Sequence, residues 1–237
     1  MLRASAAANT SSILVLAVVS YWLPARVFGT TNASEDFCKG KPRSATLRAA
    51  NARNRAFAET SARVPARSEG TIVDAPCTNT SRLFVSSSEG QFDLAFMQSP
   101  TPSRPGNGLE MIDWSPSGQY LLSDLFTYQY EGEGAEHTPL IYDANSGLIY
   151  QPDLLRLFRD HFKNNCGAAS SIKGFTADGR IVVRAEPLAR NTTYEPITPP
   201  SCVKKVGFWA LDFRNGDLQP LGDHYQIKKY ATPGEDK

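Results

Sequence analysis

Two pairs of glycine-centred turns constrain this chain more than any other feature. IDWSPSGQYLLS (residues 112–123) turns at Gly118, and IKGFTADGRIVVR (172–184) turns at Gly179. PLIYDANSGLIYQ (139–151) turns at Gly147, and FWALDFRNGDLQPL (208–221) turns at Gly216. In each stretch two apolar runs meet across a short polar segment ending in glycine, which admits the positive φ of a tight hairpin turn. The first pair is separated by 61 residues and the second by 69. The order hairpin, loop, hairpin therefore occurs twice, which predicts two copies of a four-stranded antiparallel unit with strands a to d. RLFVSSSEGQFDLAFM (82–97), around Gly90, reads as the second half of a third copy. Between the two full copies, QPDLLRLFRDHFKNN places Leu154, Leu155, Phe158 and Phe162 on one helical face. Pro152 and Asp153 suit a first turn, so a helix is predicted over 152–164, packed on the protein's own sheet.

Trp114-Ser115-Pro116-Ser117-Gly118 and Phe175-Thr176-Ala177-Asp178-Gly179 open the copies, and Tyr142-Asp143 with Ser146-Gly147 and Leu211-Asp212 with Asn215-Gly216 close them. This pattern over about 108–151 and 170–221 resembles the WD40-like repeat of β-propellers such as the periplasmic TolB family. The resemblance implies blades of four antiparallel strands and an interaction scaffold. The expected fold is all-β and antiparallel, a small or incomplete β-propeller-like array of about three blades with one inserted helix, over residues 71–230. Propellers usually hold four or more blades of about 40–45 residues, so length excludes a complete large ring. An incomplete ring would take its missing blade from a second subunit, making an oligomer. A β-sandwich built from the same hairpins is the alternative.

Residues 1–29 read as a secretory signal, with Arg3, an apolar core at 13–23 and the Val27-Phe28-Gly29 site. An apolar core of 11 residues is too short to span about 30 Å of hydrocarbon at 1.5 Å per residue. A secreted or periplasmic location is therefore expected. There, Cys38, Cys77, Cys166 and Cys202 predict two disulfides; three pairings exist, and Cys38 with Cys77 plus Cys166 with Cys202 is the expected one. The spacing lacks the close pairs of a structural zinc site. Residues 30–70 form a basic Ala/Arg-rich arm; within 38–69, Lys39, Lys41, Arg43, Arg48, Arg53, Arg55, Arg63 and Arg67 stand against only Glu59 and Glu69. The chain as a whole nets +1, so the rest of the mature protein is acidic. Leu47, Ala50, Asn54 and Phe57 share a helical face, so the arm is expected to be partly helical and to lie against the acidic body through charge. Residues 231–237 are expected to be a disordered tail.

The sequence lacks a Gly-x-Ser-x-Gly elbow, a phosphate-binding loop, an HExxH pair and a dinucleotide fingerprint. No cofactor is expected, and export argues against a nucleic-acid target for the arm. Two long loops occupy equivalent b–c positions. One carries Tyr130, Glu131, Glu133, Glu136 and His137; the other, 187–203, carries Tyr194 and Glu195 and is stiffened by Pro187, Pro196, Pro199 and Pro200. Both are expected on one rim, where a rigid scaffold holding long loops makes a binding surface. The expected function is an exported, non-catalytic scaffold that binds a protein or envelope component, as an inhibitor or immunity protein would. The alternative is a metal-assisted hydrolase using Glu131, Glu133, Glu136 and His137. Asn32, Asn79 and Asn191 begin glycosylation sequons.

Overall fold

The computed structural model describes residues 40–50, 53–66, 77–86, 91–128, 135–162, 168–187 and 207–234. The signal segment lies outside them, as do Cys38, Cys166 and Cys202, and with them the expected disulfide pairing. Cys77 is buried, and there is no free cysteine among the described residues. Along the chain run β1 (Arg43–Ala49), β2 (Arg55–Thr60), β3 (Val64–Pro65), β4 (Cys77–Thr78), β5 (Ser81–Ser86) and β6 (Asp93–Gln98). Then come β7 (Gly106–Trp114), β8 (Tyr120–Tyr128), β9 (Ala135–Asp143), β10 (Ile149–Tyr150) and the helix α1 (Leu154–Phe162). The chain continues through β11 (Ala168–Phe175), β12 (Ile181–Pro187), β13 (Gly207–Asp212), β14 (Asp217–Gly222) and β15 (Ala231–Pro233). The described pairs are all antiparallel. They form sheets ordered β15-β1-β2-β5-β6, β10-β9-β8-β7 and β11-β12-β13-β14, with β3-β4 as a two-stranded ribbon. The described residues are therefore all-β apart from α1.

The duplicated hairpins match in their hydrogen bonding. Gly118 N–H donates to Ser115 O at 2.8 Å and Gly179 N–H to Thr176 O at 3.0 Å, with φ of 71° and 85°. In each turn the leading hydroxyl engages the side chain two residues on, Ser115 with Ser117 and Thr176 with Asp178. In the second hairpins, Gly147 and Gly216 N–H donate to the carbonyls of Asp143 and Asp212, both at 2.8 Å. Each of those aspartates also accepts a backbone N–H two residues on, from Asn145 at 2.9 Å and Arg214 at 3.1 Å. One turn chemistry, the Asx turn, is thus used at both places.

The arm departs from expectation. The described residues of 46–59 are not helical: β1 and β2 pair antiparallel, and β2 pairs onward with β5 from Arg55↔Ser86 to Thr60↔Ser81. Ala and Arg favour helix by propensity, but Ala56 and Ala58 alternate inward with period two and are buried beside Leu83 and Val85. Burial of that face overrides propensity. The arm supplies the first half of the third unit, so three complete meanders are present. Backbone pairing holds its described strands in the sheet, where Glu59 bonds Arg82 at 2.9 Å and Arg55 lies over the Phe92 ring. The tail is also corrected, because Ala231–Pro233 is strand and pairs with Leu47–Ala49 of β1. The stretch 225–230 carries no regular structure and leads into it.

The middle sheet shares a core with each of the other two. Leu121, Leu140 and Trp114 join Ala49, Ala56, Ala58, Leu83 and Val85 of the first sheet. The neighbours Leu122 and Ile141 instead join Ile172, Phe175, Ile181, Val183 and Leu211 of the third. This is the two-residue alternation of a strand buried on both faces. β7 packs against β1, β2 and β5 and against β11. Helix α1 starts after Asp153, whose Oδ1 accepts Arg156 N–H at 2.9 Å, so Asp153 is its N-cap and the helix is shorter than 152–164. Phe158, His161 and Phe162 contact the Trp209 ring, placing the stripe on the third sheet. Leu155 falls off that stripe and is 43% exposed. No described helix is long and apolar enough to cross a membrane.

Candidate functional site

Adjacent antiparallel strands alternate their side chains between two faces, so near the ends that flank the 129–134 connection β8 and β9 carry Thr127 and Glu136 on one face and Asp124 and His137 on the other. Their register sets Thr127 opposite Glu136, Phe126 opposite His137 and Asp124 opposite Pro139. Asp124 and His137 are thus diagonal neighbours, within reach of long side chains. Asp124 Oδ2 lies 2.6 Å from His137 Nδ1. Asp124 Oδ1 is buried without a partner. Glu136 reaches the other way, to Arg104 Nη2 at 2.6 Å. Arg104 is fixed by a small turn in which its N–H donates to Thr101 O at 3.1 Å and its carbonyl accepts Thr101 N–H at 3.0 Å.

A cleft of about 810 Å³ opens beside these pairs. One wall is Leu125, Thr127, Glu136 and His137 of β8 and β9; the other is Gln151, Asp153, Leu154 and Leu155 at the start of α1, with Gln98 and Arg104 at one end and Ser170 at another. The Arg104–Glu136 side chains are 44% and 47% exposed, so this ion pair adds little to stability. Its effect is to set a positive and a negative group at one lip of the cleft. Leu155, on the same lining, adds an exposed apolar surface.

Of the residues expected to form the site, Glu136 and His137 both line this cleft. Tyr130, Glu131 and Glu133, on the connection leading into it, lie outside the described residues, as do Tyr194 and Glu195. The expectation that Glu136 and His137 share a metal ion gains nothing from the geometry, because each is engaged by a different partner. No cluster of three or more His, Cys, Asp or Glu residues suited to a metal occurs among the described residues. Sequence reasoning missed Arg104 and Asp124. Asp124 gave a faint signal, a carboxylate inside the otherwise apolar run of β8; Arg104, in a Ser/Pro-rich turn, gave none.

Two further groups stand out around the middle sheet. Asp113, fully buried at the β7 bulge between Met111 and Asp113, accepts Ala231 N–H at 2.8 Å and Tyr230 N–H at 3.1 Å. Burial raises its pKa, against the lowering pull of those N–H groups and of Lys229. Asn79 is 4% exposed and exchanges hydrogen bonds with Asn107, so the folded chain offers no attachment point at that sequon. No family model matches the chain, and no curated protein matches it significantly.

Proposed function

We propose that this chain is an exported, non-catalytic scaffold that receives a segment of another protein in the cleft between β8–β9 and α1. The observation that carries this reading is the composition of the cleft. It is open, far larger than one side chain, and lined by an ion pair and by exposed Leu155. Such a mixture of charged rim and apolar anchor suits a peptide segment. The hydrolase alternative draws no support from Glu136 and His137, whose partners are Arg104 and Asp124.

The scaffold itself is read as a three-bladed propeller-like array resembling the WD40-like repeat. Support comes from three consecutive four-stranded meanders, the contacts of β7 with both β1 and β11, and the pairing of β15 with β1. A two-layer sandwich does not accommodate a middle sheet buried on both faces. Export rests on the apolar 13–23 segment and its flanks. In the test, immobilised protein captures partners from an envelope extract of its source, and variants are compared for the same captured species. R104E/L155E is expected to lose that species at least tenfold, while L94E, on exposed β6, retains it. Equal capture by all three refutes the cleft as the docking site.

A further inference from the structure

A second cavity, about 360 Å³, lies between the first and middle sheets and falls in the size range of small-molecule sites, about 300–1,000 Å³. Its lining is chemically mixed. Lys41 and Arg43, both exposed, supply two cations with no ion pair of theirs among the described residues, and Arg63, a third cation on the lining, lies over the Tyr128 ring at 4.8 Å from its centroid. Glu110 of β7, also exposed, supplies an acceptor on the facing sheet. Phe126 and Tyr128 supply two aromatic rings in edge contact, with centroids 5.9 Å apart. The Phe126 ring lies directly on the backbone of Gly108, so closely that a methyl group there would overlap it. It is held as a flat surface.

Asn107, on the lining, is held by Asn79. Its N–H and Nδ2 both donate to Asn79, to Oδ1 and O respectively, each at 2.8 Å. Since Asn79 O can only accept, the amide orientation is fixed and the leftover atom is Asn107 Oδ1. That oxygen is buried with no partner. With no accessible surface it does not face the cavity, so Asn107 fixes the wall and this oxygen accepts nothing from a ligand there.

We infer that this cavity binds an acidic sugar, a ring carrying a carboxylate and several hydroxyl groups. The carboxylate pairs with Lys41 and Arg43, the guanidinium offering a bidentate match. Ring hydroxyls donate to Glu110. The apolar C–H face of the ring lies on Phe126. A simple anion uses only the cations and a neutral sugar only the remainder, so each part of the lining has a use only for a ligand that joins both. The inference is independent of the protein-binding cleft, whose residues it does not share. It also gives the basic residues of the first sheet an external anionic target.

Isothermal titration calorimetry with sodium D-glucuronate, D-glucose, sodium acetate and inorganic phosphate tests it. Saturable binding of glucuronate is expected, with the other three at least tenfold weaker. K41Q/R43Q alters only exposed side chains, and is expected to weaken glucuronate at least tenfold while thermal unfolding and capture by the other cleft stay unchanged. E110Q provides a second, structurally mild loss. Acetate or phosphate binding as tightly as glucuronate reduces the site to a general anion patch and overturns the inference. Equal binding of glucose, absence of saturable heat, or an unaffected K41Q/R43Q variant does so too.

Discussion

Replacing Asp113 tests how the C-terminal segment is secured. Its carboxylate accepts the N–H groups of Ala231 and Tyr230 just where the chain enters β15, while Lys229 Nζ donates to Ile112 O at 3.0 Å and Lys173 O at 3.3 Å. One short stretch is thereby tied to β7 and β11 before it pairs with β1. A hydrogen bond to a charged group is worth about 1.5–3 kcal/mol. Two such bonds, discounted because the freed N–H groups are only part-buried and can reach water, give about 2–4 kcal/mol for D113A. D113N keeps one carbonyl acceptor and is expected to cost about 1–2 kcal/mol on the same scale. Burial raises the folded-state pKa above the ordinary 3.8, although the Ala231 and Tyr230 N–H groups and Lys229 oppose it. The folded protein therefore holds this proton at pH values where the unfolded chain has lost it, and this contribution to stability falls as pH rises from 3.8 through the folded pKa. Asn cannot ionise, so the penalty of D113N is largest in acid and shrinks across that window. Urea unfolding followed by tryptophan fluorescence, with protease cleavage of the tail as a local probe, measures both. A D113A loss below about 1 kcal/mol with an equally resistant tail, or a D113N penalty that grows with pH, refutes the reasoning.

Gly147 and Gly216 occupy the same turn position with φ of 72° and 82°, but an added Cβ meets nothing within 4 Å at Gly147 and Leu157 Cδ2 at 2.9 Å at Gly216. Thermal melts should show G147A losing about 1 kcal/mol from the left-handed backbone alone, and G216A losing about 1–2 kcal/mol more from displacing the helix side chain. In acid, Asp178 and Asp212 act in the opposite sense to Asp113. The Thr176 hydroxyl on Asp178 and the Arg214 side chain on Asp212, each working against burial, hold these carboxyls below 3.8. Their stabilisation is full above 3.8 and is lost as pH falls through the folded pKa values, so D178N and D212N are expected to flatten the acid limb of a stability-against-pH curve.

The sequence made legible whatever was encoded locally. A Ser/Thr hydroxyl, an Asp or Ser two residues on and a glycine specify a turn without help from distant residues, which is why the hairpins at Gly118, Gly147, Gly179 and Gly216 stand where they were expected. Helix α1 was legible for the same reason, although its N-cap moved to Asp153. The arm was not. In TLRAANARNRAFAE the local preference is helical, and only the distant partners of β2, Leu83 and Val85 on β5, make the alternating alanines a buried face. The site divides the same way. Glu136 and His137 could be picked out by residue type, whereas Arg104 and Asp124 become partners only through the register of β9 on β8 and the turn at 101–104.

The arm's conversion to strand also decides where its charge goes. A helix lying on an acidic body would spend its lysines and arginines in pairing, whereas β1 and β2 as strands hold their backbone by hydrogen bonds and their alanines by burial. Lys41 and Arg43 are then left exposed at the seam with β7. That seam exists only if β1 is held in place, and β1 is held on one edge by β2 and on the other by β15, from the far end of the chain. A contact of such sequence separation carries a large loop-closure cost and forms late, after the local hairpins. The Asp113 knot offsets that cost by fixing residues 229–231 beside β7 and β11, which leaves only a short step for β15 to reach β1. The buried carboxylate and the second cavity are thus linked through one strand: the first secures the closure that gives the second its wall.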